Sequence, residues 1–163
     1  MQVRFFIKMA LVASIYVVLT IWNPFSYTEI QFRISEVLVL LCFYRKDYIY
    51  ALTIACIIAN FFSPLGIIDV VLGSLATFLA CLLISKSHHL FGASLFPVLI
   101  NALVVGVELM IVFDLPLLAT IISVALGEFA VVSVVGVLLF HRLSQNPGFL
   151  ELIEAENMMG KDL

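Results

Sequence analysis

Arg33 and Glu36 stand three residues apart at the mouth of an apolar run, in the stretch NPFSYTEIQFRISEVLVLL at 23–41. On one helical face such a pair can bond and share the cost of partial burial, which makes it either an ion-pair anchor at a membrane surface or part of a site. Asp69, Glu108 and Glu128 lie inside other apolar runs, with Asn60 and Asn101 in the same company. Asn101 and Glu108 are seven apart and share a helical face, and Asn60 and Ser63 are three apart at the end of another run. Carboxylates, amides and one guanidinium together suit a small donor-rich solute. A guanine-like base presents a ring N–H beside an exocyclic amine, which one carboxylate accepts together; an amine or a polar vitamin would also fit. The chain has no nucleophile paired with a base, no phosphate-binding glycine loop and no metal-ligand spacing, so no catalytic residue, cofactor or metal is expected. Two alternatives stay open: an intramembrane enzyme using Glu108 and Glu128 as acid and base, and a channel or assembly subunit whose carboxylates line a water path.

The elements that position these groups must be membrane helices. Hydrophobic residues are 64% of the 163 and charged residues 12%, far from the roughly 45–50% and 25% of soluble domains. The apolar stretches are continuous and do not alternate as barrel strands would. Asn23-Pro24, YRKD at 44–47, Ser63-Pro64-Leu65-Gly66, SKSHH at 85–89 and Asp114-Leu115-Pro116 divide them into segments at about 5–22, 33–44, 48–62, 66–86, 94–113 and 116–141. The reading is an all-α, six-transmembrane-helix bundle, domain 1–143, followed by a short acidic tail at 144–163. Segments two and three are shorter than a full span and must tilt or be shielded by neighbours. The basic, apolar N-terminus is followed by a helix exit rather than a small-x-small cleavage site, so it counts as the first span. Cys42, Cys56 and Cys81 all sit in apolar runs and read as small core residues.

Orientation follows from the basic residues. With six spans, Arg4, Lys8, Arg45, Lys46, Lys86, Arg142 and Lys161 fall on one side, which the positive-inside rule makes cytoplasmic for both termini. His88, His89 and His141 fall there too and read as interfacial. Arg33 alone lies opposite, so it needs an explanation other than anchoring. Glu108 stands about 9 Å below the outer turn at Asp114, and Glu128 about 21 Å above Arg142, at 1.5 Å rise per residue. A carboxylate at such depth costs about 2.5–3.5 kcal/mol even on insertion scales, so these should line a site and not face lipid. Gly66, Asp69, Gly73 and Thr77 form one stripe, for which close helix packing is an equal explanation, Asp69 leaning to function and Gly73 to structure. Ala10 and Ser14 form a small-xxx-small pair on the first span that permits contact with a partner helix.

The stretches IQFRISEVLVLL, IANFFSPLGIIDVVLGSLATFLACLL, NALVVGVEL and ALGEF, in this order and at these spacings, resemble the QueT family of substrate-binding subunits of energy-coupling-factor (ECF) transporters. The similarity runs from about residue 8 to residue 140. It implies a six-helix S-component in the bacterial plasma membrane that captures queuine or another 7-deazaguanine precursor of queuosine from outside. The implied partners are a transmembrane scaffold subunit and two cytoplasmic ATPases, besides membrane lipid, with no nucleic acid. The chain lacks a Walker A sequence, so ATP hydrolysis would belong to those partners and this chain would not be an enzyme. The family's motifs carry over onto Arg33, Ser35, Glu36, Asn60, Ser63, Asp69, Asn101, Glu108 and Glu128, with Glu108, Glu128 and Asn101 ranked first as substrate-binding residues. Related S-components meet the scaffold through an Ala-xxx-Ala contact on the first helix; here Ala10 is matched but the second position is Ser14. An S-component for a different vitamin is the nearest alternative, because S-components share one architecture. Arg33 and Glu36 are expected at the outer rim, below a loop long enough to fold over a ligand.

Overall fold

The computed structural model describes residues 2–27 and 32–155. Continuous apolar runs give continuous helices, and they stop where the Pro, Gly and polar clusters fall. α1 is Gln2–Trp22, α2 Leu41–Tyr44, α3 Tyr48–Asn60, α4 Ser74–Lys86, α5 Leu90–Phe113, α6 Leu117–Glu128, α7 Val137–Ser144 and α8 Pro147–Leu152. A 3₁₀ helix, Ile34–Leu40, leads into α2. A π-helix, Asp69–Gly73, leads into α4, and another, Phe129–Gly136, joins α6 to α7. Four stretches are long and apolar enough to cross a membrane: Val3–Trp22, Asp69–Lys86, Leu90–Phe113 and Leu117–Ser144. Ile34–Tyr44 and Tyr48–Asn60 are shorter, as the sequence indicates.

The short Ile34–Tyr44 stretch is the hub of the bundle. α1 packs on α3, α3 on α4, α4 on α5 and α5 on α6, while Ile34–Leu40 touches α1, α3, α4, α5 and the Phe129–Gly136 turn. Its neighbours bury nearly every residue: Ser35, Glu36, Val37, Val39, Leu40, Leu41, Cys42, Phe43 and Tyr44 are all inside. A 3₁₀ helix rises about 2.0 Å per residue against about 1.5 Å for an α-helix, so the tighter winding lets a short stretch reach further through the bundle. It lies close to the Phe129–Gly136 π-helix at Gly136, where a Cβ would stand 3.0 Å from Leu40 Cδ1. At the α5–α6 crossing, a Cβ on Gly106 would lie 3.1 Å from the Ile121 backbone, and Thr120 Oγ1 donates to the Gly106 carbonyl at 2.9 Å. All three cysteines are free and buried, as small core residues should be.

At the end opposite the 61–68 turn, the chain after α7 folds back. Asn146 caps α8 by accepting from Gly148 N at 2.9 Å, with Pro147 at the first helical position. Phe149 sets its ring edge against Phe140, and Ile153 is buried. Glu154 receives Lys8 Nζ at 2.9 Å and lies 3.7 Å from Arg45 Nη1, which also donates to its carbonyl at 3.0 Å. The described part of the acidic tail is therefore packed on the bundle rather than hanging from it. Residues 156–163, including Lys161, lie outside the described residues.

Candidate functional site

The polar residues come from several stretches: Arg33 precedes the 3₁₀ helix, Asn60 ends α3 and Asp69 opens a π-helix, while Asn101 and Glu108 lie within α5 and Glu128 ends α6. Arg33 is the residue before the 3₁₀ helix and has extended backbone, φ −89° and ψ 96°. Its side chain therefore leaves the face on which Glu36 sits, and the expected Arg33–Glu36 pair does not form. Arg33 Nη2 instead bonds Asp69 Oδ2 at 3.0 Å, with both side chains buried. Its Nε donates to the Ser26 carbonyl at 3.0 Å, and the guanidinium lies over the Tyr27 ring at 5.5 Å. Glu36 turns toward α1, where the Tyr16 hydroxyl donates to Oε1. One turn along α1, Thr20 Oγ1 lies 2.6 Å from Ser35 Oγ. Tyr16 and Thr20 escaped sequence reasoning, although polar residues four apart on an otherwise apolar first span are the signal that would find them.

Asp69 opens the π-helix, whose extra residue per turn re-aims the side chains beyond it. Asn60 Nδ2 donates to the Asp69 carbonyl at 2.8 Å, tying the end of α3 to the start of the next stretch. Gly73 is one turn on, and a Cβ there would stand 2.1 Å from Asp69 Oδ1 and 2.9 Å from Asn60 Nδ2. Gly73 is thus the space that Asp69 occupies, so the structural and functional readings of the stripe meet in one contact. Gly73→Ala is expected to push the carboxylate off Arg33, reducing solute affinity at least about tenfold and lowering the melting temperature, since overpacking costs about 1–3 kcal/mol. Calorimetry and thermal melting of the purified variant check both. Thr77 continues the stripe by bonding the Gly73 carbonyl and Cys56 Sγ. Gly66 does not belong to it: φ is +66° and the residue sits in the turn. Ser63 is also a turn residue, its Oγ accepting from Leu65 N at 3.2 Å beyond the last residue of α3.

The second half of the site comes from α5 and α6. Asn101 Nδ2 donates to Glu128 Oε1 at 2.9 Å, so the amide serves Glu128 although its seven-residue spacing places it on the face of Glu108. Glu128 is the last α-helical residue before the Phe129–Gly136 π-helix. Glu108 is fully buried, and neither of its carboxylate oxygens has a hydrogen-bond partner among the described residues. Glu36 Oε2, Asp69 Oδ1, Glu128 Oε2 and Asn60 Oδ1 are also without one. Arg33 bonds Asp69, Asn101 ties α5 to Glu128, and the stretches carrying Glu36, Asp69, Glu108 and Glu128 pack on one another, which makes the five charged groups one constellation. Four buried carboxylates face one guanidinium. Such a set lacks donors, and a solute able to supply them meets five free carboxylate oxygens.

The family whose description is QueT transporter matches residues 6–145. The chain belongs to the QueT transporter family. A relative from Lactococcus lactis subsp. cremoris (strain MG1363), named Queuosine precursor transporter QueT, is 37% identical over 141 residues, covering 76% of this chain and 83% of the relative. No solved structure matches the chain. Within this QueT-family fold, Arg33, Glu36, Asn60, Asp69, Asn101, Glu108 and Glu128 are all buried, while Ser35 bonds Thr20 and Ser63 bonds Leu65. Ala10 and Ser14 lie on the exposed face of α1, with Ser14 Oγ bonded to the Ala10 carbonyl at 2.8 Å. Beside them Phe6, Met9, Ala10, Ala13, Tyr50, Ala51 and Ile54 line an apolar groove of about 530 Å³ between α1 and α3.

The loop between α1 and the 3₁₀ helix, expected to fold over a ligand, is described only in part. Asn23 fastens its two ends: Nδ2 donates to the Phe32 carbonyl at 2.6 Å and Oδ1 accepts from Phe25 N at 3.0 Å. Tyr27 reaches across to the Ala59 carbonyl at 2.7 Å, over Arg33. Residues 28–31 lie outside the described residues, and with them the tip of the expected lid.

Proposed function

We propose that this chain is the membrane-embedded substrate-binding subunit of an ATP-driven ECF importer, taking up queuine or another 7-deazaguanine precursor of queuosine. The observation that carries this reading is the surplus of buried carboxylate oxygens without a hydrogen-bond partner among the described residues. A guanine-type edge presents two adjacent donors, and Glu108, with both oxygens free, is the group suited to accept them together. Asn101 and Glu128 would line the same site from the far wall, and Asn60, Asp69, Arg33 and Glu36 from the near one. The name of the Lactococcus relative supports the substrate class.

The topology that serves this function has six membrane passes, two of them short and shielded by their neighbours, in one domain at 1–143 with the remainder a cytoplasmic tail. Both termini are cytoplasmic, in a bacterial plasma membrane, and the site opens outward. The exposed face of α1 supports a scaffold contact: Phe6, Ile7, Leu11, Ile15 and Val18 are all uncovered, and Ala10 lowers the surface between them. Two partner ATPases would drive the cycle, leaving this chain to bind and release.

The test is thermal-shift and calorimetric titration of detergent-purified protein with queuine, its aminomethyl and cyano precursors, guanine and a panel of vitamins. A saturable, stoichiometric rise in melting temperature with one 7-deazaguanine is the expected result. A response confined to another vitamin would keep the transporter and replace its substrate. Turnover of the ligand by the purified chain alone would instead favour the enzymatic use of Glu108 and Glu128.

A further inference from the structure

Between α1 and α3 the surface of the bundle is hollow, and the hollow changes character along its length. Its larger part, about 530 Å³, is lined almost wholly by apolar surface, with Ala10, Ala13 and Ala51 giving it depth. It adjoins a second cavity of about 370 Å³ whose lining includes Arg45 and Asp47. Phe6, Met9 and Tyr50 line both, so the two form one amphipathic groove. Tyr50 is exposed at the junction, and a tyrosine ring is suited to the boundary between acyl chains and headgroups. The acids beside the polar part are matched: Asp47 Oδ2 receives Arg45 Nε at 2.9 Å, and Glu154, which also binds Arg45, receives Lys8 Nζ at 2.9 Å. Arg4 and Lys46 are not spent in this way. Both are exposed, each adjoins lining residues in the chain, and neither has a hydrogen bond or ion pair among the described residues. The groove thus has unspent positive charge beside its polar part and none along its apolar part.

We propose that this groove binds one anionic phospholipid, with an acyl chain along the apolar part and the phosphate headgroup between Arg4 and Lys46. The inference uses only the membrane reading of the chain and does not depend on the identity of the solute. Burying the acyl chain discriminates nothing by itself, because the lipid tails around a membrane protein are as apolar as the groove. Selectivity comes from the headgroup. Cations at the membrane surface attract anionic lipid, and a zwitterionic headgroup carries its own compensating charge. Guanidinium and ammonium groups also donate charge-assisted hydrogen bonds to phosphate oxygens. A wholly apolar partner helix would fill the first part of the groove and leave both cations unanswered; an amphiphile meets both parts at once. Phe6 and Ala10 belong both to this groove and to the α1 face offered to a scaffold subunit. Lipid and scaffold then exclude each other there, and assembly exchanges one for the other.

The experiment is native mass spectrometry of the detergent-purified full chain, titrated with phosphatidylglycerol or with phosphatidylcholine of the same acyl chains. One saturable adduct is expected, formed with phosphatidylglycerol at about tenfold lower concentration than with phosphatidylcholine. In Arg4→Gln/Lys46→Gln, two exposed positions, that preference falls to within about 3-fold. Ala13→Leu fills the apolar part while leaving the charges in place, and is expected to weaken both lipids at least about fivefold. Equal binding of the two lipids by the unmodified protein overturns the proposal, as does a ladder of adducts with no saturable first one, which is a solvating coat. A preference kept in the double variant, or both lipids unaffected by Ala13→Leu, also overturns it. Loss of the adduct to excess inorganic phosphate makes the cations a plain anion site, and a dimeric mass without lipid gives the groove to a second copy; each rejects the proposal. Where Ala13→Leu does not fold, the charge variant decides alone.

Discussion

Arg33→Gln is expected to destabilise the bundle by about 3–5 kcal/mol, the largest effect of any single substitution at this end. Among the described residues the guanidinium is the only cation in the constellation, and its partner Asp69 is fully buried. Without it the buried Asp69 carboxylate loses its cationic partner, and the Ser26 carbonyl loses the Nε donor that joins the loop to the site. Removing both charges together separates the pair from its surroundings. The double variant Arg33→Gln/Asp69→Asn should regain most of the stability, because a neutral amide pair can bond where the ion pair stood. Thermal melting in detergent measures both. A melting temperature unchanged in Arg33→Gln would mean that the pair contributes nothing to stability.

Glu108→Gln is expected to separate binding from stability. Both carboxylate oxygens lack a hydrogen-bond partner among the described residues, so the unliganded fold bears the desolvation of this group without a bond to offset it. The amide is therefore expected to leave the melting temperature of the free protein unchanged or raised. Solute affinity should fall about 100-fold, some 2.7 kcal/mol, because an amide can no longer accept two donors side by side. Loss of both together would assign Glu108 to the fold. Retained affinity would move the ring-binding role to another carboxylate. A stabilising substitution that abolishes binding is the signature of a group kept for function.

Much of this arrangement is legible in the chain. Apolar continuity and the polar breaks place the helices to within a few residues, and a cost argument alone groups Asp69, Glu108 and Glu128 away from lipid. The pairings are not legible. Arg33 lies 36 positions from Asp69, and no local periodicity joins residues so distant. The three-residue spacing to Glu36 suggests a local pair that holds only if both residues are helical; Arg33 is extended, so the rule does not apply. Gly66 matches the stripe by count, but the helix begins after it. Gly73 reads as a packing residue, because a glycine shows nothing of what fills the space it leaves. The π-turns beside Asp69 and Glu128 have no compositional mark at all, yet they decide where those carboxylates point.

The two ends of the molecule hold their charges in different surroundings, and dissolved salt acts on them differently. The clasp of Glu154 with Lys8 and Arg45 is partly open to water, where pairs contribute about 0–1 kcal/mol and the screening length shrinks from about 8 Å at 0.15 M to about 3 Å at 1 M. Arg33 and Asp69 are sealed from the electrolyte. Ionic strength therefore slackens the join between the chain's two ends, leaving Phe149 and Ile153 to hold it by packing, while the buried ion pair keeps its strength. A tag or fusion placed after residue 155 would hang from the joint that brine loosens first.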